Sequence, residues 1–364
     1  MVRAVAWCSG NTAHRAVRDA EPSADSPLRG DGRGRRRLVP VLLLASAVAL
    51  LSCAVAPTIG VLLLALVVLG VTTISGQLVT PLAGDLAGDD HRGRIVGLVG
   101  SGTLTGILAS RTISGLVAGA GGWRSVFVVA AVVAVLLAVL LHRAIPQLPP
   151  RTRMPYPRLI ASVGAVLLRE RAARWTMALA AIGFATFSLF WTALTFLLSG
   201  PPFGYPVTVI GLFGVAGLAG VLFGLHGGRL HDRGWSLPAT GVAWVVALCA
   251  FVVAAFAGRS VVLVVTAIVL VDVALQTQAL LNRARLFALS DEARSRLNTA
   301  LGVGNFLGGA IGSAAATALW SAGGRTAVTA AGAALCGFAL TVWALGRRGP
   351  LVPTGRRVAP SGTG

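Results

Sequence analysis

Ten apolar runs, each about as long as a bilayer is thick, dominate this sequence and restrict what it can fold into. They cover residues 38–56, 59–83, 95–120, 125–141, 175–198, 206–225, 237–257, 261–281, 297–320 and 326–345. A hydrocarbon core of about 30 Å is crossed by roughly 20 helical residues. Inside it no water reaches backbone N–H and C=O groups, so each run has to close its hydrogen bonds on itself, and only a helix does that. A soluble protein occasionally encloses one helix of this length, but ten in a chain of 364 residues is a membrane pattern. The expectation is an all-α integral membrane protein with ten transmembrane helices.

Charge orients these helices. All 31 basic residues are Arg. The N-terminal arm, the joints after the even-numbered runs and the C-terminal tail carry 27 of them, whereas the joints after the odd-numbered runs carry three, Arg124, Arg259 and Arg325. The positive-inside rule makes the first set cytoplasmic, so both termini are expected inside, with the chain in the cell's inner (plasma) membrane. The net charge of +19 is then mostly a topology signal. Nucleic-acid binding would call for a soluble basic patch interleaved with aromatics. Only the arm with Arg33, Arg35, Arg36 and Arg37 approaches one, and attraction of juxtamembrane arginines to anionic lipid accounts for it. Cys53, Cys249 and Cys336 lie in apolar runs and Cys8 in the arm, which supports neither a disulfide framework nor a metal site.

Residues 1–37 form a polar, Arg-rich arm without the apolar stretch of a signal peptide. Residues 38–141 hold four runs, 175–345 hold six, and 346–364 are a tail. Between the two bundles, residues 142–174 are Pro-rich and carry seven arginines, a cytoplasmic linker expected to end in a short helix on the membrane surface.

An internal repeat relates the bundles. Sliding the chain on itself by 202 positions pairs Arg92 with Arg294, Arg94 with Arg296, and Gly100, Gly102 and Gly106 with Gly302, Gly304 and Gly308. Without a gap, the same offset pairs Ala120, Gly121 and Gly122 with Ala322, Gly323 and Gly324. The third and ninth runs are therefore equivalent members of two parallel repeats, an arrangement typical of secondary transporters. The fifth and sixth runs, 175–225, would find their partners near or before residue 23, where the chain is too polar to span. The expectation is a six-plus-six ancestor whose first two helices are absent here.

These features lead to a resemblance. "GGRLHDRG", with Gly227, Leu230 or Arg229 by register, Asp232, Arg233 and Gly234, resembles the G-x-L-x-D-R-x-G-R-R loop of the major facilitator superfamily. "PLRGDGRGRRRL", with Asp31, Gly34, Arg35 and Arg36, is similar to a degraded first copy, and "GGWRSVF" (residues 121–127) looks like the family's turn between its fifth and sixth helices. The resemblance covers about Leu28 to Leu345. Within the superfamily, "SRTISGLVAG" and "FWTALTFLLSGPPFGY" look like the bacterial drug and sugar efflux branch. The resemblance implies a major facilitator type helix bundle, here four plus six, working by alternating access and acting as a monomer.

Few residues could carry the chemistry of transport. Arg111 and Asp272 are the ionisable groups deep within runs, and a lone charge there costs about 2.5–3.5 kcal/mol on insertion scales. They either pair with each other structurally or serve solute contact and proton exchange. Gln276, one turn beyond Asp272, shares its face, while Gln278 points elsewhere. Phe187, Trp191 and Thr195 form an i, i+4, i+8 stripe that is either core packing or an aromatic wall for an apolar or cationic solute. Asn298 and Asn305 serve as solute ligands or as hydrogen-bond glue between helices. Asp232, Arg233, Arg294 and Arg296 suit gating, unless they are solvated loop charges.

No metal or cofactor is expected. Without Lys there is no Walker sequence, and Ser, His and Asp form no hydrolase pattern, so the chain is not read as an enzyme or an ATP-driven pump. The function expected is secondary active transport in the bilayer, a proton-coupled antiporter exporting a small organic solute or drug. One alternative is a non-transporting, truncated remnant of such a transporter. Another is a ten-span carrier like the drug/metabolite transporters, but that architecture wants two five-span repeats and the 202-residue offset opposes it.

Overall fold

The structure, a computed structural model, describes residues 30–73, 88–144, 170–224, 234–289, 294–349 and 351. Every regular element in them is an α-helix: α1 (Gly30–Val55), α2 (Ile59–Thr72), α3 (Gly88–Gly121), α4 (Trp123–Ala144), α5 (Arg171–Ser199), α6 (Val207–Gly224), α7 (Ser236–Phe256), α8 (Val261–Leu289) and α9 (Arg294–Gly346). Five of them contain stretches long and apolar enough to cross a membrane, namely 123–144, 171–199, 236–256, 261–289 and 297–346. Val39–Val55, Ile59–Thr72 and Val207–Gly217 are shorter apolar helices. The all-helical architecture agrees with the sequence, and the expected count of ten spans is matched for only part of the set. The linker core, the motif residues Asp232 and Arg233, and the arm up to residue 29 lie outside the described residues.

Hydroxyls that interrupt the apolar helices bond within them. Ser46 Oγ donates to Leu42 O at 2.9 Å and Thr186 Oγ1 to Ile182 O at 2.8 Å, so these groups stay paired in a medium without water. Thr58 caps α2 by accepting from Val61 N at 3.4 Å.

The repeat seen in the sequence reappears in the backbone. Between α3 and α4 the chain turns at Gly122, with φ 77°, and Ser125 Oγ donates to Gly122 O at 2.6 Å. In α9 the helix breaks at Gly323 and Gly324, the latter at φ 58°, so that α9 is two helices, and the second returns to bring Gly346 beside Trp175 at the same end of α5 where Gly304 meets Met177. Positive φ is a region L side chains avoid, which explains why glycine stands at both places.

Two groups of helices result. In one, α1 packs along α4 through Ala47, Ala131 and Ala134, small residues that let helix backbones approach. The other is built from α5, α7, α8 and α9 around Trp244, Phe251, Leu198 and Ile268. They meet where α3 lies along α6. There the Cα of Gly211 is 2.7 Å from where a β-carbon on Gly115 would sit, and Thr112 Oγ1 donates to Gly211 O at 3.0 Å. The repeat gives Thr112, Gly115 and Gly119 the counterparts Ala314, Thr317 and Ser321, and that face of α9 is exposed together with Val303, Leu307 and Ile311.

Candidate solute cavity

The aromatic stripe of α5 organises the site. Trp191 is buried against α8, and its Nε1 donates to Asp272 Oδ1 at 3.1 Å. Asp272 is fully buried, and its Oδ2 has no hydrogen-bond partner among the described residues. From α3, Arg111 lays its guanidinium over the Trp191 ring, 4.1 Å from the centroid, and 5.5 Å from the centroid of Phe187. A guanidinium over an indole face is attracted by the ring quadrupole, most strongly where water is excluded. Trp191 therefore stands between the two deep charges, the cation on its face and the carboxylate at its edge. Arg111 makes no direct ion pair with Asp272, and its Nε is buried without a partner among the described residues.

A cavity of about 290 Å³ opens beside this arrangement. Its walls are Arg111 from α3, Ser188, Trp191, Thr192, Thr195 and Phe196 from α5, and Ser313 from α9. Thr192 and Ser313 hydroxyls share a hydrogen bond of 3.1 Å, and Thr195 Oγ1 donates to Trp191 O at 3.1 Å. A second, apolar hollow of about 40 Å³ near Phe190 and Trp320 is too small for an organic solute.

Of the residues expected from the sequence, Arg111, Phe187, Trp191, Thr195 and Asp272 come together. Gln276 is buried one turn from Asp272 and does not line the cavity. Asn298 and Asn305 are half-buried on α9, also away from it, with Asn305 Oδ1 lacking a hydrogen bond among the described residues. Arg294 and Arg296 stand in the first turn of α9. Ser188, Thr192 and Ser313 are additions that sequence reasoning did not single out, although Ser313 is the repeat counterpart of Arg111.

A second polar cluster, also unanticipated, lies between α7 and α8. Arg285 Nη2 donates to Thr240 Oγ1 at 2.9 Å and to Asn282 Oδ1 at 2.8 Å. Around it Ser236 Oγ, Trp244 Nε1, Asn282 Nδ2, Arg285 Nη1 and both amide atoms of Gln278 are buried without partners among the described residues.

Comparison with known proteins decides the family. The profile of the Major Facilitator Superfamily matches residues 29–284, well over half of the chain. The chain belongs to the major facilitator superfamily. The uncharacterized transporter YgaY of Escherichia coli O157:H7 is 36% identical over 314 residues, which is 86% of this chain and 80% of that protein. Solved folds agree. A bacterial homologue of the human lysosomal transporter Spinster, inward-facing and occupied, superposes with a TM-score of 0.64 at 18% identity, covering 85% of this chain and 82% of that one. The Escherichia coli fucose:proton symporter FucP gives 0.59 at 14% identity, over 87% and 84% of the two chains. This major facilitator is thus a membrane transporter by family, with its cavity beside the contact between its two helix groups.

Proposed function

We propose that this protein is a secondary active antiporter of the inner (plasma) membrane, with cytoplasmic termini, exporting a small organic solute in exchange for protons. The observation that carries the reading is Trp191, whose ring touches the cavity-lining cation Arg111 while its N–H holds the buried carboxylate of Asp272. A proton arriving at Asp272 removes the negative charge at the ring edge and weakens the Trp191 hydrogen bond, since bonds to ionised acceptors are the stronger ones. Trp191 and Arg111 are then free to shift relative to the cavity. Solute and proton would in this way act on one side chain, which is the differential contact that biases a two-state rocking motion.

The α3–α6 crossing supplies the fulcrum. Glycine against glycine offers little side-chain interlock, and small residues at membrane helix contacts permit close approach and sliding. The packed crossing, with its hydrogen bond from Thr112, gives no support to a non-transporting remnant.

Reconstituted protein under an imposed pH gradient tests the reading. Solute flux should follow the gradient and should lose that dependence in Asp272→Asn. Gradient-independent flux in the wild type would leave a transporter without proton coupling. Absence of flux for every solute bound would remove transport itself.

A further inference from the structure

We infer that the cavity binds a monovalent organic anion, a carboxylate on a small apolar body, with Arg111 as its counter-charge. This rests on the transport reading for its purpose and on the cavity's own chemistry for its substance. Arg111 is the only ionisable residue among the described cavity walls. Asp272, the carboxylate on the other side of Trp191, is not part of that lining and is engaged at the ring's far edge.

The guanidinium shows no hydrogen bond to an acceptor among the described residues. Ring faces lie against it, which attract its charge and take none of its five N–H donors, and its Nε is buried and unpaired among the described residues. A planar cation left in this state inside a bilayer is costly, and a carboxylate is the group whose geometry meets the guanidinium fork with two parallel hydrogen bonds.

The other walls agree with an anion and oppose a cation. Ser188 and one member of the Thr192–Ser313 pair have a hydroxyl proton to offer the same space, since the pair shares one hydrogen bond and Thr195 donates to Trp191 O. The face of Trp191 nearest the cavity cation, which could have received an ammonium group, already carries the Arg111 guanidinium. A cationic solute would have to displace that guanidinium and then sit beside it. Phe196 and the rest of Trp191 provide apolar surface for the solute body, and about 290 Å³ accommodates one substituted ring. One cation matches one negative charge, which points away from dianions.

Three probes of one size and different charge test this: benzoate, benzylammonium and benzyl alcohol, in radiolabelled form, by equilibrium dialysis against the purified full chain in detergent. Benzoate should bind more tightly than the other two. Arg111→Gln should weaken benzoate by about tenfold to a hundredfold, the range of a hydrogen bond to a charged group, and leave benzyl alcohol unchanged. Should Arg111→Gln fail to fold, Ser313→Asp supplies the same test by adding a carboxylate that pairs with Arg111, and it should abolish the preference for benzoate over benzyl alcohol. Equal binding of all three, preference for benzylammonium, or no binding by any overturns the assignment. Flux measurements with the same probes separate the two readings. Benzoate bound without being carried would sink transport and leave the anion site, whereas benzylammonium bound and carried would sink the anion site and leave transport.

Discussion

Arg111 and Ser313 occupy equivalent positions, 202 residues apart in the two internal repeats, and both line the same cavity. One repeat places a cation there and the other a small hydroxyl. The pseudo-symmetry that shapes the bundle is broken at the place where a solute would be read, because a symmetric pair of cations would repel each other and a symmetric pair of hydroxyls would carry no charge. The consequences can be measured.

Trp191 links cavity and carboxylate through one hydrogen bond. Trp191→Phe keeps an aromatic face under Arg111 and removes the donor to Asp272. It should cost about 1–3 kcal/mol of stability, as for a buried acceptor left unpaired. Solute should still bind while proton-driven flux is lost. Retained gradient dependence in a reconstituted flux assay would show that the proton acts elsewhere.

Arg111 and Asp272 are predicted to be coupled in folding even though they do not touch. Removing either leaves the other less compensated, so Arg111→Gln and Asp272→Asn should each lower the thermal midpoint, and the double variant should recover part of that loss without recovering transport. Strictly additive losses would mean that the two charges do not interact.

Glycine contacts between α3 and α6 give a sharper stability test. A β-carbon on Gly211 would lie 2.8 Å from the Cα of Gly115, whereas one on Gly106, in the same helix α3, would meet nothing within 4 Å. Gly211→Ala and Gly115→Ala should each cost about 1–3 kcal/mol, the usual penalty for overpacking. Gly106→Ala should be neutral or mildly stabilising. Equal thermal midpoints in detergent for all three variants would mean that α3 and α6 are not in contact.

Orientation is testable by labelling. On a background with Cys8, Cys53, Cys249 and Cys336 replaced, single cysteines at Ser199 and Ser321 should react with an impermeant thiol reagent added outside intact cells. Those at His91, Thr152 and Asp291 should not. Reaction at Thr152 from outside would invert the proposed topology.

The helices were legible because apolar length leaves the backbone no other way to satisfy itself in lipid. The breaks at Gly122 and Gly324 were legible too, through the repeat, since both need a backbone conformation that glycine adopts most freely. Arg111 and Asp272 announced themselves by the cost of a charge among apolar neighbours. Trp191 as intermediary was harder to foresee. Its spacing on α5 fits a packed core equally well, and only the crossing of α3, α5 and α8 decides which face meets the guanidinium. The hydroxyl walls carried less signal still. Ser46 and Thr186 show that such residues routinely bond to their own helix, so Ser188, Thr192 and Ser313 looked no different in sequence. Gln276 shares Asp272's side of α8 but is turned away from the space, a distinction of neighbouring helices that spacing along one helix does not contain.

The carbonyl of Arg111 lies 3.0 Å from where a Gly211 β-carbon would be, and the next residue, Thr112, donates to the Gly211 carbonyl. The residue proposed to grip the solute is thus also a bearing surface of the joint. No train of side chains is needed to carry a force between them. A tug on the guanidinium acts on the same peptide unit that rests on α6, like a handle fixed directly to its axle.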